Sequence, residues 1–358
     1  MSKNDKIEEK KVTCPFESVT AEDIINLGHE TVPTLLDPIF PKQGVVLLGG
    51  EGDVGKSYFL LQFMDAIVNG DEKFLGYKLD LKHKKALYVS TEDGKYDLCP
   101  RLKNLQIIRG GKDTKVYANL RVILQTEKLI SQLDYFLKKE PVDLIVLDTF
   151  SDLFSGDINQ SSIVRSFIQK YKELADKYET LICFNHHSNK SSAFRMPSKD
   201  NFNGSQGIVS KVRLVIEMRK DPIDPSYRHL CIVKANNLGE QFKDRSYKLR
   251  FSIETGFKNT GERTPFDQIV CKQINGVISK NPYEGVVREL LLKGVSHRKI
   301  VAQINGGEGR ECITRYFVEK IAGQMNLSEK ESIKESDSQT AEEDGLDMER
   351  GEDSSKAA

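Results

Sequence analysis

Gly44-Val-Val-Leu-Leu-Gly-Gly-Glu-Gly-Asp-Val-Gly-Lys-Ser57 decides the reading of this 358-residue chain. It opens on an apolar run, Val45 to Leu48, that suits a buried strand. It turns through Gly49, Gly50, Gly52 and Gly55 and passes into Tyr58-Phe-Leu-Leu-Gln-Phe-Met64, which suits a helix. Strand, turn and helix together carry G-x-x-x-x-G-K-[ST] from Gly50 to Ser57. Glycines let backbone N–H groups wrap a polyphosphate without Cβ clashes. The start of the helix adds unpaired N–H groups and the positive end of its dipole. Gly50, Glu51, Gly52, Asp53, Val54, Gly55, Lys56 and Ser57 are therefore the expected cradle for ATP. Lys56 would reach the β- and γ-phosphates, and Ser57 would give its hydroxyl to Mg2+.

Working outward, Ala86-Leu-Tyr-Val-Ser90 reads as a buried strand ending in acidic Glu92 and Asp93. Helical patterns at 94–108, 127–139 and 161–178 alternate with apolar strands at 120–124, 142–148 and 181–185. That alternation predicts an α/β fold, a mostly parallel sheet covered by helices on both faces. Such sheets hold ligands at the carboxyl ends of their strands. Glu92, Asp148 and the pair His186-His187 all fall there. An antiparallel pair is expected at 212–217 and 229–235, with a further strand at 247–253. Between His187 and Ser205 the chain is polar and aperiodic, and a loop of that length inside a domain is usually functional.

Upstream, 17–28 predicts a short helix with Thr20 as N-cap, after a charged, disordered start over 1–12. Downstream of 263 the expectation is helical: 265–279, 282–293, a helix opening at Ser296, and a basic helix over 309–322. That pattern fits either a helix-turn-helix module or a plain helical protein-contact domain. Residues 327–358 are acidic and read as a disordered tail. The expected division is an N-terminal extension (1–31), an ATP-binding core (32–258), the helical module (259–326) and the tail.

The formal net charge is +0, so the acidic tail leaves the rest mildly basic, which would suit a nucleic-acid partner. Six cysteines form no C-x-x-C pair, which argues against a zinc site or a disulfide framework and for a reducing compartment. No run approaches ~18 apolar residues, and the N-terminus lacks a signal-peptide core, so the expected location is the cytoplasm, without membrane contact.

The site residues divide by role. Asp148, ending Leu-Ile-Val-Leu-Asp, would hold the Mg2+ shell with Ser57. Glu92 would orient and deprotonate an attacking water, with Asp93 as rival. His186 or His187 would sense the γ-phosphate. A His pair is also a metal-ligand pattern, but no Cys or carboxylate stands at suitable local spacing. Arg213, within Val212-Arg-Leu-Val-Ile216, is either a solvated sheet-edge charge or a group aimed at a partner.

These features resemble RecA-type ATPases, most closely the RepA-like branch of hexameric helicases, an AAA_25 domain. The resemblance spans about residues 32–253. It rests on Pro41-x-x-Gly44, Tyr88-Val-Ser-Thr-Glu-Asp93, Leu147-Asp-Thr149, His186-His-Ser-Asn-Lys190, and Gly204-Ser-Gln-Gly207 followed by Arg213. It implies a RecA-like core with Glu92 as base and the His-His segment as sensor. It implies Arg213 as a finger into the neighbouring subunit's nucleotide, with Lys234 as a second basic position close by. It also implies a ring, a hexamer, that moves along single-stranded DNA as a helicase, with Lys190, Arg195 and Lys199 on channel-facing loops. A replication-initiation or primase protein would be the loading partner. Rival implications are a regulatory or DNA-maintenance ATPase and a recombinase-type filament. Glu51 and Asp53 depart from the family's small residues in this loop.

Overall fold

Val45, Val46, Leu47 and Leu48 lie buried at the centre of a nine-stranded sheet in the computed structural model of the chain. The structure describes residues 18–111, 114–189, 191–202, 204–271, 273–274, 277–278, 283–305, 313, 315, 317–323 and 325. The strands are β1 (Gly44–Gly50), β2 (Ala86–Ser90), β3 (Leu120–Ile123), β4 (Leu144–Asp148), β5 (Leu181–His187), β6 (Leu214–Lys220), β7 (Tyr227–Ala235), β8 (Arg245–Ser252) and β9 (Gly256–Pro265). Their spatial order is β9-β8-β7-β6-β1-β5-β4-β2-β3. The six strands from β6 to β3 are parallel, and β7, β8 and β9 are antiparallel additions at one edge.

The central strands read as unbroken apolar runs because both of their faces are covered. Val46, Leu48, Val146 and Cys183 pack under α1 (Lys56–Asn69) and α2 (Lys95–Ile108). Val45, Leu47, Leu147 and Phe184 pack under α3 (Leu129–Lys139), α4 (Ser161–Tyr178) and α5 (Ser205–Lys211). The α4 stripe Val164, Ile168, Tyr171, Leu174 and Ala175 follows the spacing of one helical face. The resulting core is the mixed α/β, RecA-like architecture expected from the sequence. Thr20 caps the short helix Ala21–Ile25 in a reciprocal pair with Asp23.

Two expectations need correction. The sheet does not stop at 258, because β9 runs from Gly256 to Pro265 and pairs with β8 from Gly256↔Ser252 to Pro265↔Arg245. Its sequence, Gly-Phe-Lys-Asn-Thr-Gly-Glu-Arg-Thr-Pro, has little apolar alternation, and cross-strand pairing rather than pattern makes it a strand. The helix expected over 265–279 is instead a single 3-10 turn, Phe266–Ile269, and a pair of two-residue strands. Phe266 and Ile269 are drawn onto Cys231 of β7. Beyond that, α6 (Glu284–Leu292) and α7 (His297–Asn305) contribute to a separate small core, with Val287, Ile300, Ile313, Val318 and Ile321 buried. The expected disordered ends, together with Arg310, Thr314 and Tyr316 of the basic helix, lie outside the described residues.

A candidate nucleotide and divalent-cation site

The glycine-rich turn leaves β1 and enters α1 through Gly55, whose φ of 99° is left-handed and favours glycine. Lys56, the first residue of α1, is 5% exposed. Its ammonium donates to the carbonyls of Gly50 (3.1 Å) and Glu51 (2.8 Å). Burial pushes the Lys56 pKa down to about 8, against the opposing pull of Asp148, Glu92, Asp53 and Glu51. Asp53 is exposed and Glu51 half-buried, so neither carboxylate is packed into the cradle. Arg228 of β7 braces the turn by donating through Nε to the Val54 carbonyl at 2.8 Å.

At the neighbouring strand ends three side chains meet. Asp148 Oδ2 accepts from the Tyr88 hydroxyl (2.6 Å), and Oδ1 accepts from Asn185 Nδ2 (2.5 Å). Asn185 Nδ2 also reaches Ser57 Oγ at 3.3 Å. Burial, then the Asp148 charge, pushes the Tyr88 phenol far up, so Tyr88 stays a neutral donor. A hydroxyl and a carboxylate joined by one amide form a hard-oxygen set, the donor type that suits Mg2+. The buried Asn185 Oδ1 has no hydrogen-bond partner among the described residues, so the set has room for one more donor. The residues present thus fit a divalent cation held by Ser57 and Asp148, which when bound would neutralise charge on the phosphates.

Glu92 and Asp93, rivals in the sequence, are separated by their partners. Asp93 is paired with Arg101 of α2, and its backbone N–H is held by Ser90 Oγ (3.1 Å). The N-cap of α2 is Gly94, whose N–H donates to Asp97 (3.0 Å), so Asp93 does not cap that helix. Glu92 is exposed, 3.9 Å from His187 Nε2. Its pKa is raised, first by partial loss of hydration at the strand ends, then by Asp152 and Asp148, with His187 opposing. The two histidines are also split. His186 is buried against Phe150 and Phe202, on the face away from Lys56. His187, alternating with it, shares the Asn185 face.

Arg213 and Lys234 lie elsewhere. The Arg213 N–H donates to the Val45 carbonyl (3.0 Å), and Leu214 pairs with Val46, whereas Met218 pairs with Gly50. Arg213 therefore sits at the amino end of the sheet, roughly 16 Å of strand from the phosphate turn at ~3.3 Å per residue. Lys234 donates to the carbonyls of Val209 and Val212 (the latter at 2.7 Å), at the carboxyl end of α5. Neither touches the site within its own chain.

Of the loop cations, Arg195 and Lys199 are exposed, and Lys190 lies outside the described residues. The loop is tied down by groups the sequence reading missed. Glu217, 0% exposed on β6, pairs with Arg219 (2.7 Å) and accepts from Ser198 N–H (3.1 Å) and Asn201 Nδ2 (3.0 Å). Arg219 donates to the Arg195 carbonyl at 2.6 Å. Phe202 lies so close on Gly49 that a Cβ there would stand 2.0 Å from its ring. The available signal was two charges, Glu217 and Arg219, two residues apart in an apolar strand and so on one face. Asn185 carried the same kind of signal, a polar residue directly after an apolar run.

Comparison with known proteins agrees with this geometry. Over 137 residues the chain is 34% identical to the DNA repair protein RadA of Aquifex aeolicus (strain VF5), covering 38% of this chain. The chain spans only a quarter of that relative's length. The family model AAA_25, an AAA domain, matches residues 10–193, just over half of the chain and including the phosphate turn, Glu92, Asp148 and both histidines. The chain belongs to the AAA_25 family of P-loop ATPase domains, built here on a RecA-like core.

Proposed function

We propose that the protein is an ATP-hydrolysing motor that assembles into a ring, in the manner of a hexameric replicative helicase, and moves along single-stranded DNA. One observation carries this reading. The cradle holds a lysine, a candidate cation pair and a candidate base at the carboxyl end of the sheet, while Arg213 stands at the opposite end. A cation placed there is out of reach of its own nucleotide and, in a ring, would be offered to a neighbour's. An arginine finger supplied between subunits makes hydrolysis depend on assembly.

Within each subunit, Lys56 binds phosphate, Ser57 and Asp148 hold the cation, and Glu92 accepts a proton from water. His187, beside Glu92 on the cradle face, relays the state of the phosphate to the following loop. Exposed Arg195 and Lys199 on that loop bind the phosphates of a single strand. A replication-initiation or primase protein would load such a ring.

A second reading is a RecA/RadA-like recombinase filament, with which similarity to a DNA repair protein is compatible. Negative-stain imaging with ATP and single-stranded DNA separates them. Closed rings, with strand displacement on a forked duplex, support the helicase. Open helical filaments without displacement support the second reading.

A further inference from the structure

Asn185 is 2% exposed within β5, directly after four apolar residues, Leu181 to Phe184. Its orientation is fixed by chemistry. Asp148 is a carboxylate that only accepts hydrogen bonds, so the amide must turn its NH2 toward it. That single group has two protons, and the two acceptors within reach are Asp148 Oδ1 (2.5 Å) and Ser57 Oγ (3.3 Å). One side chain thus spans the two oxygens assigned to the cation.

These bonds leave the coordinating capacity intact. Ser57 Oγ has two lone pairs, and Asn185 occupies one. Each Asp148 oxygen accepts once, from Asn185 or from Tyr88, and keeps a further lone pair. Meanwhile Asn185 Oδ1 is buried without a hydrogen-bond partner among the described residues. Buried polar groups are paired in almost every native structure, so an orphan beside a cation site points to a water or ion that completes it. A side chain that merely filled space here would be apolar, like its same-face neighbours Leu181 and Cys183.

We infer that Asn185 is a positioning residue for the divalent cation: its amide nitrogen sets Ser57 and Asp148 at their working separation, and its carbonyl oxygen accepts a hydrogen bond from water in the cation's shell. This rests on the nucleotide-binding reading above. Outer-shell partners of this kind typically change metal affinity by about 10–100-fold when removed.

The test is a titration of fluorescent ADP into the full chain at graded Mg2+ concentrations and, separately, in EDTA. The wild type should bind more tightly with Mg2+. Asn185→Leu should need about tenfold or more Mg2+ for the same gain, while its affinity in EDTA stays at the wild-type value. An unchanged Mg2+ requirement overturns the inference. So does an equal loss with and without Mg2+, which is what a merely structural role would produce. Should the leucine variant not fold, Asn185→Val, which suits a strand and carries neither donor nor acceptor, is read by the same criteria. A wild type that binds no ADP, or binds it with no Mg2+ dependence, overturns both this inference and the nucleotide reading. The separate arms distinguish those failures.

Discussion

His187 Nε2 stands 3.9 Å from the Glu92 carboxylate, across the ends of two strands that are separated in the sheet by β4. The proposed sensor and the proposed base are thereby neighbours. Partial loss of hydration, Asp152 and Asp148 raise the Glu92 pKa, and His187 lowers it. A general base works only when deprotonated, so turnover should fall as pH drops through the Glu92 pKa, at a pH above the ordinary glutamate value. His187→Ala removes the lowering influence and should move that acid limb further up in pH. An unmoved or downward-shifted limb in the pH–rate profile would contradict the pairing.

Glu92→Gln should still bind ATP but lose about 10²-fold or more in hydrolysis, the scale of a positioned general base. Asp93→Asn, which breaks only the pair with Arg101, should keep most of its turnover. Phosphate release from the two variants side by side decides between the carboxylates.

Lys56 makes binding pH-dependent in a defined direction. In the free protein its pKa is about 8, so above that pH much of the ammonium has lost its proton. A polyphosphate beside it favours the charged form. Nucleotide binding above pH 8 should therefore take up close to one proton and weaken as pH rises. Calorimetry in two buffers of different ionisation enthalpy measures this uptake, and equal heats in both would refute it. Lys56→Ala should abolish hydrolysis.

Arg213→Ala should bind ATP yet lose about 10³-fold or more in hydrolysis, as removal of a finger does. Mixed with Glu92→Gln subunits it should regain activity, because some interfaces then join an intact Glu92 to an intact Arg213. An inert mixture would mean that Arg213 does not act between subunits.

Replacing Arg195 and Lys199 by Ala should weaken single-strand binding and flatten its salt dependence by about 0.7 in log–log slope per lost contact. Titrations at several salt concentrations provide the slope. Glu217→Ala, which leaves Arg219 buried without its partner, should cost about 3–5 kcal/mol in urea unfolding. It should also open the 188–204 loop to proteases.

Much of this was legible because it is local. The phosphate turn, the strand-end carboxylates and the helix stripes are written in spacing and period, and spacing needs no knowledge of what lies across the sheet. The period of two also held the answer for the histidines, since His187 must share a face with Asn185 and His186 must oppose it. What the sequence hid was long-range. Nothing near Asp93 announces Arg101 as the partner that withdraws it, and nothing in a polar, aperiodic loop shows that Ser198 and Asn201 are fastened to Glu217. The strand β9 escaped for the same reason: its partner, not its pattern, makes it extended.

The fastening of that loop has a mechanical meaning. Phe202 bears on Gly49 in β1, and Asn201 is bonded to Glu217 in β6, the strand beside it. The loop therefore stands on two adjoining strands, beside the end of β1 where that strand exits into the phosphate turn. A tug on Arg195 or Lys199 would load the same patch of sheet that shapes the cradle. Stiff, close-packed interiors pass on strain rather than absorb it. The short span from Phe202 to Gly49 puts the loop in direct mechanical contact with the phosphate turn.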